Sequence, residues 1–386
     1  MVSDDRPQKP LHVALLIDRW DPRRGGAERA LAQFSEHLVA CGHRVTAFGA
    51  EGTACAGAEF QRVRPRAPRM PGRVARERAL ARGLVAAASV AACDVTVGVR
   101  HLEQVDLYWP HGGSHRAGLE ARRRSQGHFG ATEPRGRHRA FVEFERTLLE
   151  GGGARRVVCV SEAVREEFEH AWPGCGDRLV VVPNGVDLER FRPDLRAAAS
   201  ASLRARIPAA SQTALLVFAG REPELKGLPA LLVALKGVRR PWHLVIAGPR
   251  RPARWARAAA SLGLDATRVS VFYHLPAEEL MCGADLCCLP TWRDPSPLVI
   301  LEALAAGTPV LTTRNAGNCD AVGTPEAGVV LEGPEDLPAL TAALTARLER
   351  IASGSVDRAA IRACVEDRGL GPWMASLERE LRALAR

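Results

Sequence analysis

Two cations and two carboxylates define the chemistry open to this sequence. Arg221 follows the apolar run Ala214–Ala219 and Gly220, and Lys226 stands five positions later, directly before Gly227. Asp294 lies in a loop after a second apolar run, Ala284–Pro290, and Glu302 lies eight residues further on, in a segment of helical pattern. Cations of this kind neutralise a diphosphate, and carboxylates accept hydrogen bonds from sugar hydroxyls. A nucleotide sugar needs both.

Composition draws separate attention to Lys226. The chain is strongly biased to Arg, and its only lysines are Lys9, Lys226 and Lys236. Where Arg is the default cation, a Lys at a helix start suggests a need for a compact point charge, and a phosphate is such a target. Lys236 sits in a plain helical pattern and serves as the internal control.

Those side chains need a scaffold that brings loops to one edge. Short apolar runs alternate with amphipathic helical patterns along the chain: strands at 11–17, 45–48, 94–99, 156–160 and 179–182, then at 214–219, 243–247, 269–272, 284–290 and 308–313. That alternation predicts βαβ units and parallel sheets. At 386 residues the chain is long enough for two cores, and the pattern restarts after the turn Pro183-Asn184-Gly185-Val186-Asp187. The expected division is 1–175, 176–368 and a terminal helix over 369–386 carrying Trp373, Leu377, Leu381 and Leu384 at helical spacing.

The order and spacing of Gly220-Arg221, Lys226-Gly227 and the run Leu298-Val299-Ile300-Leu301-Glu302-Ala303-Leu304-Ala305-Ala306-Gly307-Thr308-Pro309-Val310 closely resemble the donor half of retaining GT-B glycosyltransferases of family 4. The resemblance implies an α/β fold of two Rossmann-like doubly wound domains facing across a cleft, with the terminal helix crossing back to the first. It also implies roles. Arg221 and Lys226 would clasp the diphosphate, Glu302 would hold the ribose, and Ser296, Leu298 and Val299 would complete the donor site. Asp294 would meet the transferred sugar. Here the chain departs from the family, with Asp294-Pro295-Ser296-Pro297 where Glu-Pro-Phe-Gly is usual. Asp is one methylene shorter, and Pro297 lacks a backbone N–H.

The first half adds two signals. Gly25-Gly26-Ala27-Glu28, with Arg23-Arg24 before it and Gly42-His43-Arg44-Val45 after it, resembles the family's N-terminal signature. Gly25 and Gly26 would let backbone approach the donor, and Glu28 is structural or acceptor-side. The stretch Asp106-Leu107-Tyr108-Trp109-Pro110-His111-Gly112-Gly113-Ser114-His115 resembles the cleft-lining loop of the lipopolysaccharide core α-glucosyltransferase type. His111 is the first choice for a group at the reacting centre; Asp106 and His115 are weaker acceptor-side choices.

Net charge is +9, with 46% hydrophobic, 25% charged and 5% aromatic residues. Sparse aromatics and the lack of a recognised module disfavour nucleic acid. Arginines crowd 62–82 and 116–139 with few evident compensating carboxylates, which suits an anionic membrane surface. The Ala-rich stretch 84–99 is too short to span a bilayer, and the polar first ten residues are no signal peptide. The ten cysteines form no CxxC pair and have no His partner at zinc-ligand spacing, which points to a reducing cytoplasm. No Asp-x-Asp follows a strand, so neither a metal nor another cofactor is expected at the diphosphate. The combined expectation is a cytoplasmic enzyme, or one peripheral on the inner membrane face. It would move a hexose with retention from a nucleotide diphosphate sugar, UDP-linked, to lipopolysaccharide or another envelope glycan. Rival readings are a family member building a soluble glycan or glycolipid, and a membrane-associated sugar-nucleotide-binding protein without transfer activity.

Overall fold

A computed structural model describes residues 9–22, 25–64, 72–128, 133–208 and 212–385. The chain forms two compact units: residues 1–117, 132–182 and 374–386, and residues 118–131 and 183–373.

The first unit is built on seven parallel strands: β1 (His12–Leu16), β2 (Arg44–Gly49), β3 (Glu59–Arg62), β4 (Val95–Gly98), β5 (Val105–Tyr108), β6 (Ala154–Cys159) and β7 (Leu179–Val181). Their order across the sheet is β3-β2-β1-β4-β5-β6-β7. Val13–Leu16 of β1 are wholly buried, as befits a central strand covered on both faces. The order reverses between β1 and β4, so the loops after these strands diverge and leave a crevice at the sheet's carboxyl edge.

The second unit repeats the plan with six parallel strands: β8 (Ala214–Ala219), β9 (Trp242–Ala247), β10 (Val269–Phe272), β11 (Leu286–Leu289), β12 (Val310–Thr313) and β13 (Gly328–Leu331). Their order is β10-β9-β8-β11-β12-β13. The reversal falls between β8 and β11, paired at Leu216–Leu286 and Val217–Cys287. The loop after β8 carries Arg221 and Lys226, and the loop after β11 carries Asp294. Topology therefore sets the sequence-predicted cations and carboxylate at the one edge where a parallel sheet opens.

Three expectations are corrected. The first unit runs past residue 175 to 182, because Leu179–Val181 pairs with Val157–Cys159 and extends the first sheet. Residues 118–131 cluster with the second unit. Asp106, Leu107 and Tyr108, expected as the start of a loop, belong to the buried strand β5. The C-terminal segment 374–386 belongs to the first unit, where Leu377, Leu381 and Leu384 are buried and Arg156 faces Glu380 at 3.5 Å, whereas the buried Trp373 is the last residue of the second unit. Among the described residues, no helix is long and apolar enough to cross a membrane.

Candidate active site

Lys226 is aimed by glycines on either side of it. Its stem lies where Gly220 has no side chain: a Cβ there would meet Lys226 Cδ at 2.2 Å. The turn 222–228 is wound tightly, with Lys226 N donating to Glu222 O at 3.0 Å and Leu228 N to Pro223 O at 2.9 Å. Gly227 then caps the helix Leu228–Leu235 in the left-handed conformation, at φ +78°. A Cβ on Gly227 would stand 1.7 Å from Pro290 O, so only glycine fits. Pro229 in the first helical turn completes a helix start that lacks a side-chain cap.

From this position Lys226 Nζ donates to Asp294 Oδ2, and both side chains are largely buried, at 22% and 13% exposure. Backbone bonds hold the two loops together. Trp292 N donates to Leu225 O at 2.9 Å and Thr291 Oγ1 to the same carbonyl at 3.1 Å. Asp294 N donates to Asn315 O at 2.9 Å, and Gly317 N to Asp294 O at 2.8 Å, which fixes Asp294 on a third loop. The pair is thus held by rigid backbone and not by chance rotamers.

Ser296, two residues on, keeps a buried Oγ with no hydrogen-bond partner among the described residues. Pro297 caps the helix Leu298–Ala305, and its carbonyl accepts from Asn318 Nδ2 at 2.9 Å. Leu298 and Val299 are half-buried at the start of that helix, and Glu302 is buried at 9% exposure on it. Arg190 pairs with Glu278 and lies within electrostatic reach of Glu302, which holds a cation near this carboxylate. Sequence reading passed over Arg190, since only the fold brings it here. Arg221 is exposed. Its neighbour Glu222 pairs with Arg122, so Arg122 is not one of the uncompensated arginines the sequence suggested. Arg78 and Arg139 with Glu143, and Arg82 with Glu103, correct that impression further.

In the first unit, β5 delivers Trp109 and His111. The His111 ring lies 4.2 Å from that of Trp109, tilted by 42°, and its Nε2 is buried with no partner. Burial pushes His111 down to about 3 from the ordinary 6.5, so the ring is neutral at physiological pH. Because the folded value lies below the unfolded one, this group stabilises the fold above pH 6.5. That contribution fades as pH falls from 6.5 toward 3. The ring-proton shift of His111 in an NMR titration should stay constant between pH 8 and pH 5; an inflection near 6.5 would mean an exposed, titrating imidazole.

The loop after His111 hangs on a residue that sequence reading missed. Glu145 is fully buried, and it accepts from His115 N at 2.7 Å, Ser114 Oγ at 3.2 Å and Trp172 Nε1 at 3.2 Å. Burial raises its pKa, while these three donors oppose the rise. The available signal was a Glu within the apolar pattern Ala140, Phe144, Leu148 of the helix Arg137–Leu149.

The acceptor-side choices do not stand as expected. Asp106 is buried inside the sheet, where Oδ2 accepts from Thr96 N at 3.0 Å and Thr96 Oγ1 at 2.8 Å, and Oδ1 from Arg155 at 3.2 Å. It ties strands together and does not face an acceptor. His115 packs its ring against His101 and Phe141 and bonds His138 Nδ1 at 3.1 Å, so it too is used by the fold. Glu28 folds back over its own helix start, with Oε2 2.8 Å from where a Gly25 Cβ would be. That is the structural reading of Glu28: its carboxylate meets the first turn of the helix Gly26–Ala40. Gly25 is extended, at φ −172°, and Gly26 is exposed. Arg23, Arg24, Arg66 and Arg69 lie outside the described residues.

Comparison with known proteins fits this arrangement. The family described as "Glycosyl transferases group 1" matches residues 213–350, and "Glycosyltransferase Family 4" matches residues 24–190. Each of these glycosyltransferase families thus matches one stretch of the chain, and each stretch is less than half of its length. A D-inositol 3-phosphate glycosyltransferase of Geodermatophilus obscurus is 33% identical over 241 residues, 58% of this chain and 51% of the relative. The lipopolysaccharide glucosyltransferase WaaG of Escherichia coli is 25% identical over 202 residues, 51% of this chain and 54% of that protein. The chain therefore spans about half the length of the curated relatives it matches. Among solved structures, WaaG, a glycosyltransferase involved in lipopolysaccharide biosynthesis, superposes with a TM-score of 0.80 at 20% identity, covering 96% of this chain and 99% of WaaG. Anabaena HepE in complex with UDP and glucose superposes at 0.68 and 16% identity, covering 97% and 100%. At these identities the likeness establishes the fold: the chain has the GT-B architecture of two Rossmann-like α/β units.

Proposed function

We propose that this chain is a family 4 glycosyltransferase that transfers a hexose, with retention, from a nucleotide diphosphate donor to a cell-envelope glycan. The observation that carries this reading is the pairing of Lys226 with Asp294 at the switch point of the second sheet, beside the unpartnered Ser296 hydroxyl. A diphosphate entering there would take Lys226, with Arg221 as its second cation. It would free the Asp294 carboxylate for sugar hydroxyls. Breaking the anomeric bond loads charge onto the phosphate, where two fixed cations stabilise an oxocarbenium-like transition state without a divalent metal. Glu302 on its buried helix would accept from the ribose hydroxyls. His111, kept neutral, would meet the transferred sugar as a hydrogen-bonding group and not as an acid.

UDP is favoured as the carrier because HepE, of the same fold, has been solved with UDP and with UDP-glucose. The likeness to WaaG favours a lipopolysaccharide-type acceptor at the inner membrane face. Exposed arginines of the first unit, such as Arg62, Arg73 and Arg76, would add attraction of roughly 1 kcal/mol each toward anionic lipid. Cosedimentation with phosphatidylglycerol vesicles that persists at high salt, or that occurs equally with neutral vesicles, would remove the membrane part.

The Asp294–Pro297 departure gives the second reading its weight: a protein that binds the donor and does not turn it over. Release of UDP from a UDP-hexose, followed with excess EDTA present, separates the two. Slow hydrolysis without acceptor, unaffected by EDTA, is the expected result. Tight binding with no release supports the binding protein, and activity lost to EDTA and restored by magnesium or manganese would replace the two-cation mechanism.

A further inference from the structure

Outside the donor site, one cluster of side chains among the described residues has the composition of a metal centre. His37 stands in the last turn of the helix Gly26–Ala40, and Cys41 caps that helix four residues on, its backbone N–H bonded to His37 O at 3.0 Å. Both therefore point from the same face. Glu378 reaches them from the C-terminal helix Leu370–Arg382, within the same compact unit. One atom of each residue, nitrogen, sulfur and oxygen, lies within 4.8 Å of the other two.

We propose that His37, Cys41 and Glu378 bind a zinc ion that clips the N-terminal helix to the C-terminal one. A mixed N, S, O set suits Zn2+, which accepts all three donors and favours tetrahedral geometry. In such a site Zn–N and Zn–O distances near 2.0–2.1 Å and Zn–S near 2.3 Å set N and S about 3.6 Å apart and N and O about 3.3 Å apart. Here Cys41 Sγ lies 3.7 Å from His37 Nε2, and Glu378 Oε2 lies 2.8 Å from the same nitrogen. The first edge already matches, and the second opens by about 0.5 Å through side-chain rotation alone.

The carboxylate is held from behind, as ligating carboxylates are. Glu378 Oε1 accepts from Arg382 Nε at 2.7 Å and lies 3.2 Å from His43 Nε2, which leaves Oε2 turned to His37. The His43 side chain is wholly buried, its Nδ1 accepts from Leu11 N at 3.0 Å, and its Nε2 lies between Glu378 Oε1 and Arg382 Nη2, 2.8 Å from the latter. Arg382 puts a positive charge beside the ion and moderates its affinity. Cys41 is exposed, so the ion can enter from solvent and keep water at its fourth position. His37 and Cys41, at i and i+4, correct the expectation that no cysteine has a His partner at such spacing, and the third residue of the cluster lies 341 positions from His37.

The full-length chain, stripped of metal, should be titrated with Co2+ and then Zn2+. One equivalent of Co2+ should produce the near-ultraviolet absorption of a cobalt–thiolate bond, and Zn2+ should displace it and raise the melting temperature. Cys41→Ser should abolish the absorption and weaken zinc by about tenfold or more. Cys364→Ser should behave as wild type, and His43→Gln should weaken zinc while keeping the absorption. Because Cys41 is exposed, its variant should fold even if a Glu378 variant does not. No cobalt–thiolate absorption in the wild type, or absorption that survives Cys41→Ser, would reduce the cluster to a His37–Glu378 ion pair.

Discussion

Replacing Lys226 with alanine should lower kcat/KM for the donor by about two orders of magnitude, because a charge-assisted contact to a diphosphate contributes roughly 2–3 kcal/mol when charge develops on the leaving group. The loss should fall mainly on turnover. It should also leave Asp294 without its partner, a buried carboxylate at 13% exposure, so binding of UDP should weaken as well. Lys236→Ala is the control, since Lys236 follows the helix Leu228–Leu235 and its exposed side chain has no part in the clasp. Steady-state kinetics on both variants checks this. Wild-type activity in Lys226→Ala would take the cation out of the mechanism.

Gly227→Ala should be destabilising and inactivating together. The added Cβ would lie 1.7 Å from Pro290 O, and the residue must keep φ at +78°. The left-handed conformation alone costs an alanine about 1–2 kcal/mol. Backbone displacement to relieve the contact should bring the total to about 3 kcal/mol or more, lowering the melting temperature by roughly 6–12 °C. Because Pro290 leads into the loop holding Asp294, the shift should separate Lys226 from Asp294 even in the surviving folded fraction. Gly263→Ala is the comparison: φ is +79°, yet nothing lies within 4 Å of the added Cβ. It carries the conformational cost without the clash and should keep donor affinity. Equal melting temperatures for the two variants would mean that the contact with Pro290 relaxes freely.

Much of the fold was legible because its central strands are continuous apolar runs that cannot be mistaken for turns. Ala214–Ala219 and Val269–Phe272 fall at the expected residues. The strand Val105–Tyr108 was hidden by Asp106, a residue that strands usually exclude. Here Thr96 and Arg155 satisfy its carboxylate, and no local pattern announces partners from neighbouring strands. The boundary was misplaced for a related reason: Leu179–Val181 reads as a strand of either unit, and only its pairing with β6 assigns it to the first. The two cations and two carboxylates were legible as residues. The ion pair joining Lys226 to Asp294 was not, since it depends on β8 lying beside β11. Glu145 and Arg190 stayed out of sight for the same reason. A buried carboxylate inside an apolar helix pattern signals that donors must converge on it, but not which donors.

Asp294 also separates two explanations of the departure from the usual family residue. If its carboxylate meets the sugar, the shorter side chain adapts the site to a particular hexose. If it serves only to hold Lys226, glutamate would serve equally and donor choice would not change.

The most direct test of the central claim is a thermal-shift screen of the full-length protein against UDP-, GDP- and ADP-hexoses. A ligand that binds only the folded state raises the melting temperature in proportion to the logarithm of its concentration over Kd. One nucleotide series, with UDP-hexoses expected, should stabilise the protein at sub-millimolar concentration, and Lys226→Ala should lose most of that shift. No stabilisation by any of the three at millimolar concentration would contradict the account, since a site built to hold a nucleotide diphosphate sugar must bind one.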